Sequence, residues 1–153
     1  MTTIKIQDAA ETFLQHRRIA VAGVSREEGG THGGNVVYGR LKERGYETFA
    51  INPNAETVEG GDPAYPDVAS IPGGVDAVVI ATTPAVAPEV MQQCIDAGIR
   101  DVWMHRAFGA GSVSDEATKL GRANGVTVID GGCPLMFGPT ADTGHKVMKA
   151  MLS

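Results

Sequence analysis

Short apolar runs alternate with helix-patterned stretches along this chain, and that alternation restricts the fold more than any single motif does. A strand that is apolar on both faces must be covered on both faces, so the pattern predicts an α/β fold: a doubly wound, mostly parallel sheet with helices on each side. The expected strands are Ile19 to Ala22, Glu47 to Ile51, Val75 to Ala81, Asp101 to Met104 and Thr127 to Ile129. Helices are expected around Asp8 to His16, from about Asn35 to Arg44 with Gly45 as its C-cap, on to Ala97 before Gly98, over Ser112 to Asn124, and from about Asp142 to Leu152. In Thr82-Thr83-Pro84 a threonine can cap the third helix and the proline can take its first position. Ala55 to Gly74 is rich in Gly, Pro and Asp, which predicts little regular structure beyond a short edge strand near Thr57-Val58. No repeat or linker divides the 153 residues, so one domain over 1–153 is expected.

The run Ile19 to Val24 leads through a glycine-bearing loop into the helix near Asn35, which is the build of a phosphate cradle. Neither standard version of that cradle matches. Ser25 and Glu28 stand where the second and third glycines of the dinucleotide fingerprint belong. Gly29 and Gly34 have the Walker spacing, but Asn35-Val36 follows where Lys-Ser/Thr would reach phosphate and magnesium. Ligands of doubly wound sheets lie outside the carboxyl ends of the strands, at the point where strand order reverses. That rule would gather Gly23-Val24-Ser25, Asn52-Pro53, Thr82-Thr83-Pro84, His105-Arg106 and Gly131-Gly132-Cys133 on one rim. An NAD site places a carboxylate at the end of the second strand, and this chain has Asn52 there. A neutral amide tolerates a neighbouring phosphate, so NADP and coenzyme A both qualify, with Arg26 and His32 as nearby cations.

Thirteen basic and 18 acidic residues, with a pI near 5.3, lack the basic field that nucleic-acid binding needs. No apolar run approaches a membrane span and the N-terminus is unlike a secretory signal, so a cytoplasmic protein is expected. Cys94 and Cys133 support neither a disulfide framework nor a zinc site and are expected to be free thiols. Cys133, before Pro134, is the one candidate nucleophile, although an inert thiol is the ordinary reading. A metal cluster of Cys133, His105 and His145 has no ligand-spacing motif behind it. Trp103, in a short apolar strand, reads as core before it reads as a ligand-stacking ring, and His105 could serve either a ligand or a loop carbonyl. The carboxylates scatter without an acid–base pair.

Several ordered segments together resemble one family. Gly23-Val24-Ser25-Arg26, Gly34-Asn35-Val36-Val37, Leu41-Lys42-Glu43-Arg44-Gly45-Tyr46, Asn52-Pro53, Pro63-Ala64-Tyr65-Pro66-Asp67, Val75-Asp76-Ala77-Val78-Val79, Gly98 to Met104 and Cys133-Pro134 are similar to the small stand-alone CoA-binding proteins. Their Rossmann-type fold is similar to the nucleotide-binding domain that opens the succinyl-CoA synthetase alpha subunit. The resemblance implies coenzyme A rather than NADP. It implies Gly23, Val24, Ser25 and Arg26 at the phosphates, Asn35 and Val36 at the adjoining helix start, and Asn52 and Pro53 beside adenosine. Thr82, Thr83 and Pro84 would line the middle of the cleft, and the turn after Trp103, with His105, would approach the pantetheine arm. The chain departs from many relatives in having His105-Arg106-Ala107-Phe108-Gly109 after the tryptophan and Asp130-Gly131-Gly132 before the late cysteine.

The expected function is a module that binds or senses CoA or an acyl-CoA and catalyses nothing itself. A related ligase needs a phosphohistidine domain and an ATP-grasp partner, and neither is expected within these 153 residues. A homodimer or a partner enzyme is compatible with that expectation. The alternatives are an NADP- or CoA-dependent enzyme using His105 or Cys133, and a protein-interaction subunit with a vestigial nucleotide pocket.

Overall fold

The five residues Arg18–Ala22 form β1, which pairs in parallel with β2 (Glu47–Ile51) on one side and β4 (Ala77–Ile80) on the other. The protein is seen here as a computed structural model that describes residues 6–24, 34–58, 61–105 and 113–131. The sheet continues through β3 (Ala64–Tyr65) at one edge and through β5 (Asp101–Met104) and β6 (Thr127–Asp130) at the other. All pairings among these six strands are parallel, in the order β3-β2-β1-β4-β5-β6. The helices are α1 (Ile6–Phe13), α2 (Gly34–Glu43), α3 (Ala87–Asp96) and α4 (Asp115–Ala123).

Alternate strand residues face opposite layers, and each layer has its own core. Ile19, Val21, Val79, Trp103 and Ile129 cluster with Ala10 and Phe13 of α1 and Val37 and Leu41 of α2. Ala20, Ala22, Val78, Ile80, Val102 and Met104 cluster with Val90, Met91 and Cys94 of α3 and Ala117 of α4. Helices therefore cover both faces, as the two-sided apolar strands require, and the fold is the expected Rossmann-like α/β sheet. Gly45 ends α2 as expected, at φ +94°, its N–H donating to the Lys42 carbonyl. On α4, Ser114 is the N-cap, its hydroxyl accepting from the Ala117 N–H.

Two expected boundaries are corrected. The edge strand is Ala64–Tyr65 rather than Thr57-Val58; Thr57 instead makes an isolated antiparallel bridge with Pro63. A two-residue strand between Pro63 and Pro66 has too little pattern to stand out from a loop, and only the waiting edge of β2, which pairs Ala50 with Ala64 and Ile51 with Tyr65, makes it a strand. Helix α3 begins at Ala87, not at Pro84, and no threonine caps it. The Thr82 hydroxyl donates to the Thr83 carbonyl, residues 84–86 form a turn, and it is Pro88 that occupies the first helical turn. The expected helix from Asp142 to Leu152, with Ser25, Arg26, His32, Arg106, Cys133 and His145, lies outside the described residues. No helix among the described residues is long and apolar enough to cross a membrane.

Candidate ligand rim at the switch point of the sheet

The chain leaves β1 toward β2 and returns to the other side of β1 with β4, so strand order reverses between β1 and β4. The two loops that leave this point belong to Gly23-Val24 and Ala81-Thr82, and they touch. Gly23 has φ +97°, and a Cβ built on it would lie 2.3 Å from the Ala81 carbonyl oxygen and 3.1 Å from the Thr82 nitrogen. Glycine is therefore required by the contact between the loops as well as by the backbone angle. The sequence alone suggests glycine for the approach of a diphosphate; the structure gives it an earlier duty, and a bulky replacement would damage the protein before any ligand arrived.

Backbone hydrogen bonds carry the strand ladder one step past each strand end. The Ala81 N–H donates to Ala22 O at 2.8 Å, the His105 N–H to Ile80 O at 2.8 Å, the Gly23 N–H to Ile51 O at 3.2 Å and the Asn52 N–H to Tyr65 O at 2.9 Å. Asn52 adds a side-chain tie: its amide donates to the Val24 carbonyl at 2.9 Å while its oxygen accepts from the Asn54 N–H at 2.8 Å. The amide thus joins the loops after β1 and β2, a role that spacing could not reveal. The rim is consequently held by its own backbone, which suits a site that must present fixed donors to a ligand.

Of the residues expected in the site, Gly23, Val24, Asn52, Pro53, Thr82, Thr83, Pro84 and His105 all fall on this carboxyl edge, and Asn35 and Val36 open the helix that follows β1. Burial divides them. Val24, Asn35 and His105 are buried, whereas Val36, at 46%, Pro53 and Thr83 are exposed and Thr82 and Pro84 half-buried. Ser25 and Arg26 lie outside the described residues. Trp103 is fully buried; its indole N–H donates to the Gly131 carbonyl at 2.8 Å and its ring meets Phe13 edge-on, with centroids 5.4 Å apart. The tryptophan is core, and ties β5 to the turn after β6.

One cluster on α2 was not legible in the sequence. Tyr38 on α2 donates its hydroxyl to Asp62 at 2.8 Å, and Lys42, one turn on, reaches the same carboxylate at 2.6 Å. Lys42 and Tyr38 hold the Asp62 carboxyl below its ordinary range, while burial and the carboxylate push the Tyr38 hydroxyl up. This cluster fastens the excursion between β2 and β3 onto α2. Cys94 is buried in α3 and burial pushes its thiol up to about 12, so it is not a nucleophile. Among the described residues no group of three His, Cys, Asp or Glu side chains could hold a metal.

The residues that immediately follow β1, β2, β4 and β5, namely 23–24, 52–54, 81–84 and 105, include no carboxylate, although the chain carries a formal charge of −5. The absence of a carboxylate at these particular positions beside the switch point suits a ligand that brings several phosphates. Such geometry defines a nucleotide-type binding domain. The chain matches the CoA binding domain family over residues 17–139, and it belongs to that family.

Among curated proteins it is similar to the ADP-forming acetate–CoA ligase II of Archaeoglobus fulgidus, 36% identical over 97 residues, which are 62% of this chain and 14% of the ligase. Ligase I of the same organism is 30% identical over 92 residues, 60% of this chain and 13% of that protein. The chain thus spans about one seventh of the curated relatives it matches. Among solved structures, a hypothetical protein from Pyrococcus horikoshii OT3 is 27% identical with a TM-score of 0.75, covering 86% of this chain and 87% of that one. The dinucleotide-forming acetyl-coenzyme A synthetase 1 of Ca. Korarchaeum cryptofilum, 23% identical with a TM-score of 0.61, shares the fold over 77% of this chain and 26% of its own.

Proposed function

We propose that this protein binds coenzyme A or an acyl-CoA along the rim between β1 and β4 and acts as a binding or sensing module with no chemistry of its own. The observation that carries the reading is the coincidence of a CoA-binding family match with a switch point whose adjoining residues 23–24 and 81–84 carry no carboxylate. In this reading the backbone at Gly23 and Val24 and the start of α2 at Asn35 and Val36 hold the diphosphate, with the helix dipole favouring the negative charge. Ser25 and Arg26 belong to the same phosphate segment. Asn52 and Pro53 border adenosine, Asn52 also steadying the loop above it. Thr82, Thr83 and Pro84 border the middle of the ligand, and His105 the thiol end.

A second reading rests on the two ligases: the chain would supply the CoA-binding portion of a larger CoA ligase assembled with a partner. Calorimetric titration of ligand-stripped protein with CoA, 3′-dephospho-CoA, NADP and NAD tests the first reading. CoA binding that weakens without the 3′-phosphate is the expected result. Binding to NADP alone would overturn it, and silence from all four ligands would leave only an interaction role.

A further inference from the structure

Between β2 and β3 the chain leaves the sheet at Asn52 and rejoins it at Ala64, and one carboxylate of this excursion is gripped by two side chains of α2. Asp62 accepts from the Tyr38 hydroxyl at 2.8 Å and pairs with the Lys42 ammonium at 2.6 Å. We propose that this clasp positions the adenosine side of the ligand site, an inference that rests on the CoA reading above: by holding the excursion on α2 it keeps Asn52, Pro53 and Asn54 in the arrangement that a bound nucleotide meets.

The spacing along the helix supports this role. Asn35, Tyr38 and Lys42 stand at i, i+3 and i+7, so they share one face of α2. That face starts at the end proposed for the diphosphate and, one and two turns further on, carries both groups that hold Asp62. Val58, from the same excursion, is buried in one core cluster with Val37, Tyr38 and Leu41. Apolar burial is non-directional, whereas a hydroxyl and an ammonium on one carboxylate fix where it sits. The Lys42 ammonium also lies over the Tyr38 ring, 5.9 Å from its centroid, so the two partners are held to each other as well as to Asp62.

The excursion is cross-braced, which carries the anchor at Asp62 back to Asn52. The Val58 N–H donates to Asp62 O, the Ala64 N–H to Glu56 O and the Asn52 N–H to Tyr65 O, each at 2.9 Å, and Thr57 bridges to Pro63. These bonds join an outgoing limb, residues 52–58, to a returning limb, residues 61–65. The Asn52 side chain completes the path by accepting from the Asn54 N–H and donating to the Val24 carbonyl beside the switch point. A loop already ordered when the ligand arrives spares binding the cost of ordering it, and that saving is how the clasp raises affinity. Tyr38, Lys42 and Asp62 are therefore positioning residues, acting through the loop and not on the ligand.

Asp62→Ala removes both bonds at a half-buried loop position. It is tested by calorimetric titration with CoA and by amide hydrogen exchange with and without saturating CoA. The expected result is a loss of CoA affinity of roughly fivefold or more, with faster exchange at Val58 and Ala64. The protection that CoA gives residues 52–55 in the wild type should be lost, while its protection of residues 23–24 and 34–36 and the slow exchange of Val78 and Val79 persist. Asp62→Glu should recover part of the affinity. Lys42→Met, at an exposed helix position, should show the same pattern more weakly, and it decides the matter if fast exchange at Val78 and Val79 reveals that Asp62→Ala has unfolded. Unchanged CoA affinity in these variants, protection lost equally in all three segments, or a wild type that CoA protects at residues 23–24 and 34–36 but not at 52–55 would overturn the clasp and leave the CoA reading standing. A wild type that does not bind CoA would overturn both.

Discussion

Replacing Gly23 by alanine puts a single methyl group against the Ala81 carbonyl, and the cost can be worked from the contact. The added carbon would sit 2.3 Å from the oxygen and 2.7 Å from the carbonyl carbon, far inside any tolerated approach. The carbonyl cannot rotate away cheaply, because the adjoining Ala81 N–H is bonded to Ala22 O at 2.8 Å. The loops must therefore separate, which costs about 1–3 kcal/mol as overpacking. A side chain at φ +97° adds about 1–2 kcal/mol. The sum, about 2–5 kcal/mol, is a large share of a typical domain's 5–15 kcal/mol and should lower the melting temperature by roughly 10 °C. Gly45→Ala provides the control, since Gly45 has nearly the same angle, φ +94°, with nothing within 4 Å of its missing Cβ. Differential scanning calorimetry of both variants without ligand should show Gly23→Ala the more damaging by the overpacking share alone. Equal losses would refute the claim that contact between the two loops, rather than backbone angle, demands glycine at the switch point.

Three further outcomes are expected. Val36→Asp, at an exposed position in the first turn of α2, should leave the fold intact or slightly firmer through the helix dipole. It should nevertheless weaken CoA binding by about 1–2 kcal/mol, or roughly five- to thirtyfold, through repulsion of the diphosphate; unchanged affinity in calorimetry would remove α2 from the site. The Asp62 carboxyl, held low by Lys42 and Tyr38, stabilises the fold while ionised. That contribution is complete above the ordinary carboxylate range and disappears as pH falls through the lowered folded value. Asp62→Asn should accordingly be less stable than wild type at neutral pH and converge with it in acid, as urea midpoints at the two pH values would show. Cys94, buried and with its thiol raised to about 12, should resist maleimide labelling in the native protein and react on unfolding, and rapid native labelling at Cys94 would contradict its place in the core under α3.

Fold class, and the gathering of the expected loops on one carboxyl edge, were both legible in the chain. Runs such as Ala77–Ile80 and Asp101–Met104 are apolar enough to need cover on both faces, and a strand followed by helix followed by strand joins in parallel for lack of any shorter return. The residues after those runs then arrive on one edge whatever their separation in sequence, which is why Gly23, Asn52, Thr82 and His105 could be grouped before their contacts were known. Boundaries governed by single residues were less legible. The short strand at Ala64–Tyr65 and the start of α3 at Ala87 depend on which donor or proline happens to be in reach, and local pattern does not encode that reach.

Local sequence determined where the chain could turn, which stretches needed burial and which loops would share an edge, because periodicity and glycine chemistry act over a few residues. Only the tertiary structure decided what those loops do to one another. Asn52 grips the Val24 carbonyl from 28 residues away, Gly23 yields space to Ala81, and Trp103 reaches Gly131. Each of these is a distance between residues far apart in the chain, fixed by the packing of helices on a twisted sheet.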